Sequence, residues 1–442
     1  MNTALSRRVF LGATGSAAMG IALSACSGPQ GAGSAGGGKL TGPITFWTGY
    51  PTTDSNDKSK TPQQFWIYQA AQRFTKKTGV QVKIEQLPGD ATMFTKIRTA
   101  AIGGGGPDVA NVWSGSYALG IKSFLEPMGQ YFNSNDMSQL SGWAAVSDGF
   151  DPRKKDTLFG VPDGTDGAQV LMFDKRVLAK AGVDPSTWPT TYDAWVAQLD
   201  KIKASGITPL SLGQNALPFI LFDTWLAQVV GGSAGIFALS TGKRKFSDPA
   251  ILDVAKKVVA LRPYALPGAA STTDDQAFQQ LLAGKAAMAL GGAGGTFELQ
   301  QRFKGNGGLA KLPNVAANGI QGGTVGGAGV AFIVLKNSKH KESAVAFIKH
   351  LLSASEQRRF AASKDPGPLV GRTDAKDYYT DPLINQLQQW STDAANTFWP
   401  DNTFPADLVN ELGAQMQLLW NGSISPSQFL ARLDAKRDSL KP

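Results

Sequence analysis

Residues 160–183, GVPDGTDGAQVLMFDKRVLAKAGV, hold three local signals in succession. A turn-forming run, Gly-Val-Pro-Asp-Gly-Thr-Asp-Gly, comes first. An apolar stretch of strand length follows at 168–173, then a helical segment at 175–181 that Gly182 stops. A Gly- and Asp-rich turn feeding a buried strand is how a chain passes from one α/β lobe to another. A ligand commonly sits between lobes at such a passage. The same residues also fit an ordinary loop before an ordinary strand, so the flanking sequence must decide.

The flanks have the material for two domains or more. The chain has 442 residues, 42% of them hydrophobic and 17% charged, which is the balance of a globular protein. Its 51 glycines favour a loop-rich α/β protein over a helical bundle. Residues 1–25 read as an export signal: Arg7 and Arg8 precede a run of apolar and small residues. That run is too short and too rich in Gly, Ala and Ser for a membrane span. SRRVFLG at 6–12 resembles a twin-arginine signal. LSAC at 23–26 resembles a bacterial lipobox, which would make Cys26 the lipidated first residue of the mature protein. Cys26 is the only cysteine, so no internal disulfide can form. The Gly-rich stretch that follows completes a flexible tether at 26–39. Without the two signal arginines the formal charge of +9 falls to +7. The basic residues are scattered and form no block for nucleic acid.

From residue 44 the pattern alternates. ITFW at 44–47 reads as a first strand, and Thr61-Pro62 as a helix start. Residues 80–87 read as a strand, 92–102 as a helix and 107–113 as a strand. Strand-helix alternation argues for a mainly parallel sheet with helices on both faces. Beyond the opening stretch, helices are predicted over 191–204, 218–230, 250–261 and 273–283, and a strand over 285–290. A run of glycines leads to a helix starting at Thr296, and 326–335 reads as one long apolar strand. The segment 376–442 is largely helical, with a break at 399–405. No linker separates N- and C-terminal halves, as expected where one chain crosses repeatedly between two lobes.

In order, the chain carries ITFWTG, GGGGPDVANVW, the 160–183 stretch, TWPTTYDAWVAQLDKIKASGITPLSLG, LLAGKAAMAL and GAGVAFIVLKNSKHKESAVAFIKHLLSASEQ. Together these resemble a family 1, carbohydrate-type, extracellular solute-binding lipoprotein of a bacterial ABC importer. The resemblance implies an α/β, two-lobed, periplasmic-binding-protein-like (type II) fold with a three-crossing hinge and a cleft. The crossings fall near 163–167, 323–327 and 367–373. Lobe 1 is then 40–164 plus 325–370, and lobe 2 is 165–324 plus 371–442. The implied partners are a carbohydrate-like solute and membrane permease subunits. The protein is expected to act as a monomer, without cofactor, lipid-anchored through Cys26 to the outer face of the cell membrane.

A sugar needs flat apolar faces for its C–H surfaces and planar polar groups for its hydroxyls. Trp47, Tyr50 and Trp113 lie at or just beyond strand ends, where ligands sit in open α/β sheets. Trp47 and Trp113 would equally suit core packing. Asp163 and Asp166 flank the first crossing. Asp166 falls at or beside a position where the family often carries an acidic ligand contact, and a turn-capping role is the alternative for both. Asn215 and Trp225 fall in the segment that supplies second-lobe contacts, and Trp225 shares a helical face with Phe222. Trp399 and Asp401 sit in the irregular C-terminal break. One departure from the family pattern matters: Gly291-Gly292-Ala293-Gly294-Gly295 stands where a stacking Trp is usual. Exposed amides around Gly294 at a helix N-terminus could instead receive an anion. A glycerophosphodiester or other partly anionic solute is therefore an alternative ligand.

Enzyme chemistry has little to draw on. His340 and His350 are the only histidines, too few for a zinc site or a Ser-His-Asp arrangement. Gly284-Lys285 is followed by alanine, which breaks the P-loop pattern. An exported glycoside hydrolase using two carboxylates is the competing class.

Overall fold

The computed structural model describes residues 39–49, 61–87, 91–363, 365, 367–393 and 395–440. The signal, lipobox, Cys26, nearly all of the tether, and Tyr50 lie outside these residues. In chain order the strands are β1 (Ile44–Thr48), β2 (Val82–Gln86), β3 (Val109–Trp113), β4 (Val161–Pro162), β5 (Gly164–Thr165), β6 (Val170–Asp174) and β7 (Leu210–Ser211). They continue as β8 (Met288–Gly291), β9 (Gly307–Ala310), β10 (Val325–Gly326), β11 (Val330–Val334), β12 (Leu369–Val370) and β13 (Thr397–Phe398).

Five strands form one sheet in the order β2-β1-β3-β11-β4. In it β1 runs parallel to β2 and β3, while β11 runs antiparallel to β3 and β4. Four form a second sheet, β7-β8-β6-β9, in which β6 is antiparallel to both neighbours. Every residue of β6 is buried, which is why its sequence is a continuous apolar run and does not alternate. Asp174, its last residue, caps the Lys175–Lys180 helix by accepting from the Arg176 N–H at 2.9 Å. The Trp66–Thr78 helix buries Trp66, Ile67, Ala70, Ala71 and Phe74. Phe74 meets Phe347 edge-on at 5.2 Å. Each such aromatic contributes about 1.5–3 kcal/mol by leaving water. Gly79 ends this helix at φ 78°, a left-handed conformation that glycine adopts without strain.

Two short two-stranded ladders stand apart from these sheets. β5 pairs antiparallel with β12, and β10 pairs parallel with β13. Three of these strands fall within the stretches 163–167, 323–327 and 367–373, and the fourth is residues 397–398. The long strand expected over 326–335 is broken into β10 and β11. Gly326 at φ 152° and Gly327 at φ 107° turn the chain there. Gly326 also lies against the Gly167 carbonyl, where a Cβ would collide. Apolar patterning registers none of this, because the break is made by backbone conformation.

Candidate functional site

A cavity of about 220 Å³ lies beyond the carboxyl end of β3. Trp113, Phe219, Ile220 and Trp399 give it apolar surface; Asp166, Asn215, Asp274, Asp401 and Asn402 give it polar groups. Gly329 and Ala216 complete the lining. Five residues singled out in the sequence therefore converge here: Trp113, Asp166, Asn215, Trp399 and Asp401.

Each wall is held by its own local structure. Trp113 ends β3 in an aromatic trio, 5.3 Å from Phe94 and 5.0 Å from Tyr117. Asp166 is pinned through its backbone. Its N–H donates to the Gly327 carbonyl at 2.9 Å, and its own carbonyl accepts from Ala293 N–H at 3.2 Å. Its carboxylate lies over Gly329, where any Cβ would strike Oδ2. Trp399 precedes the short Pro400–Thr403 helix, which carries Asp401 and Asn402. Asn402 donates to the Ser114 hydroxyl at 3.3 Å, tying this segment to the loop after β3. On the other wall, Asp274 opens the Asp274–Leu282 helix and accepts from Ala216 N–H at 3.0 Å.

Burial dominates the electrostatics. It pushes the Asp166 carboxyl up to about 6. The neighbouring Trp399 N–H moderates the rise, although it makes no well-aligned hydrogen bond. Asp401 is raised to about 7 by burial, and the charge of Asp166 raises it further, against backbone N–H groups that lower it. Behind them Asp163 is also raised to about 7, by burial first. Asn111 donates to its Oδ2 at 2.6 Å and lowers it, and Asp166 raises it. Asp223 is raised well above the carboxylate range by burial and then by Asp401. The N–H of Asp401 faces it, yet neither carboxylate oxygen has a well-aligned partner. Burial raises Asp274 as well.

The other expected contacts lie elsewhere. Trp225 is wholly buried and donates to the Pro313 carbonyl at 3.0 Å, so it is a core residue. Its shared face with Phe222 was the sequence signal for this. Trp47 packs in the core beneath β1 and β3, with the Lys96 ammonium 4.5 Å from its ring centroid. Asp163 is buried behind the cavity and does not line it. The glycine run is not an open anion site at the cavity. The helix starts at Ala293, three residues before Thr296, and the Ala293 N–H is taken up by the Asp166 carbonyl. Gly294 is exposed and outside the lining.

Sequence reasoning missed Phe219, Ile220, Asp274, Gly329 and Asn402. Phe219 and Ile220 belong to a π-helical turn, Leu217–Phe222, that precedes the Asp223–Val230 helix. Such turns cluster at functional sites, but they leave no periodic signal. Asp274 reads as a routine helix-start acid. A second cavity, of about 900 Å³, lies against the hinge at Thr165, Gly327 and Arg372. It is larger but has no aromatic face, and chemistry favours the smaller one.

The chain belongs to the bacterial extracellular solute-binding protein family, whose model matches residues 57–358. An uncharacterised ABC transporter extracellular-binding protein of Pyrococcus horikoshii is 25% identical over 279 residues, covering 62% of this chain and 57% of that relative. Among solved structures, a chitin oligosaccharide binding protein superposes with a TM-score of 0.75 at 18% identity, covering 90% of this chain and 98% of that one. The bacterial solute receptor AcbH, described as exclusive for β-D-galactopyranose, gives 0.73 at 16% identity, covering 90% and 99%. A probable secreted solute-binding lipoprotein from Streptomyces coelicolor gives 0.71 at 19%, covering 90% and 98%. At these identities the likeness establishes the two-lobed fold.

Proposed function

We propose that this protein is the substrate-binding component of an ABC importer. It captures a sugar or related polar solute between its lobes and delivers it to a membrane permease. The observation that carries this is the cavity itself. Indole and phenyl faces from Trp113, Trp399 and Phe219 stand around acid and amide groups at the mouth of a hinged cleft. Ring faces suit sugar C–H surfaces and the acids and amides suit hydroxyls. A volume near 220 Å³ is below the usual range of about 300–1,000 Å³, which favours a small solute over a long chain. Closure follows if the ligand binds the closed state better than the open one. Lipidation of Cys26 would keep the receptor at the membrane. The lining holds three acids and no lysine, arginine or histidine, which weighs against an anionic ligand.

The test is a thermal-shift screen of the mature protein across mono- and disaccharides, followed by recovery of the ligand. A saturable rise in melting temperature with the sugar recovered intact supports a receptor. Hydrolysis of the sugar would favour a glycosidase, and no response to any sugar would sink the carbohydrate reading.

A further inference from the structure

The carbohydrate reading leaves the charge of the cleft unexplained. Asp166, Asp274 and Asp401 line the cavity, and Asp163 and Asp223 are buried beside it. The protein as a whole is basic, at +9. Yet among the described residues no lysine, arginine or histidine pairs with any of these five, whereas Glu356, also buried, holds both Arg73 and Arg359. The cleft is thus a place where acids are gathered without a basic side chain to hold them ionised, and their raised proton affinity reflects that.

One oxygen of a lining residue is also desolvated without a partner. Asp401 Oδ1 is sealed from solvent without a hydrogen-bond partner, on a residue that lines the cavity. Trp399 Nε1, on the same wall, is also sealed from solvent, and its N–H acts on the Asp166 carboxylate. An unpaired carboxylate removed from water is costly, and a cation relieves that cost where a neutral hydroxyl only hydrogen-bonds. The aromatic faces of Trp113, Trp399 and Phe219 add the quadrupole attraction that rings offer to ammonium groups.

We propose that the cleft prefers solutes bearing a protonated amine on a hydroxylated ring, with Asp166 and Asp401 as its counterions and the aromatic side chains as its walls. This rests on the carbohydrate reading and narrows it to amino sugars and their amine-bearing relatives. It also excludes anionic sugars.

The experiment compares matched probes by calorimetry on the wild-type protein at neutral pH. These are glucosamine and galactosamine, the parent hexoses, the N-acetylated forms and the 6-phosphates. The amines are expected to bind at least tenfold more tightly than both neutral series, with no binding of the phosphates. Asp401→Asn, checked for folding by circular dichroism, is expected to shrink the amine-to-hexose preference below threefold. Neutral sugars binding as tightly as amines would overturn the amine preference and leave the carbohydrate reading standing. Tightest binding of the phosphates would also overturn it. Silence from the whole panel would overturn both.

Discussion

Asp166 and Asp401 lie far apart in the sequence yet line one cavity, with no basic side chain among the described residues paired to either, so that the charge of Asp166 raises the proton affinity of Asp401. Asp166 follows β5, and Asp401 is carried by the short helix that follows β13. The proposed charge of the ligand rests on their meeting.

That pair has a consequence for stability. Asp166 is raised to about 6, and Asp163 and Asp401 to about 7. An unfolded aspartate titrates near 3.9, so between about pH 4 and 7 the folded state holds protons that the unfolded state has lost. Their contribution is present below the unfolded value and is lost as pH rises through 6–7. His350, lowered by burial, works in the opposite direction, so the comparison must be with a variant. Asp401→Asn is expected to flatten the decline in stability between pH 5 and 7.5, read from urea denaturation. Parallel curves for variant and parent would count against the raised carboxyl.

Trp113 offers a part-buried ring to the cavity. Trp113→Ala is expected to weaken ligand binding by roughly 1–3 kcal/mol if the ring covers the ligand. Calorimetry with the ligand found by screening measures this. Unchanged affinity in a normally folded variant would remove the ring from the site.

Gly329 leaves room for one carboxylate. In Gly329→Ala the new methyl would overlap Asp166 Oδ2 and lie 3.3 Å from Trp399 Nε1. Overpacking of this kind costs roughly 1–3 kcal/mol. Binding is expected to fall at least tenfold as Asp166 is displaced. A variant with parental affinity would show that Asp166 is not held in place for the ligand.

Trp225 supplies the contrast. Trp225→Phe removes an indole N–H from the Pro313 carbonyl and leaves a void, costing about 1–3 kcal/mol of stability. The melting temperature is expected to drop while the folded fraction binds with parental affinity. Loss of affinity in step with stability would return Trp225 to the site.

The 160–183 stretch shows how far sequence reaches. Its turn, apolar run and glycine stop are local, and each marks its own element: β5 in the turn, β6 in the apolar run, and the Lys175–Lys180 helix begun by the Asp174 cap and stopped before Gly182. The alternation of strands and helices made the lobes legible, because period and punctuation are carried by neighbouring residues. The ordered set of motifs made the family legible. Trp113 and Trp399 were likewise visible as aromatics at a strand end and in an irregular segment.

What sequence could not carry is distance. Trp47 and Trp113 both stand near strand ends, yet one is packed beneath the sheet and the other faces the cavity. Asp163 and Asp166 sit three residues apart, and only Asp166 reaches the cavity. The glycine run promised free amides, and the Asp166 carbonyl took up the first of them. Local sequence determined which elements form and in what order, since those depend on short-range propensity and burial pattern. Tertiary structure alone decided which carboxylates are gathered without counterions. That depends on the fold bringing residues 166, 274 and 401 around one small volume, where desolvation sets their charge.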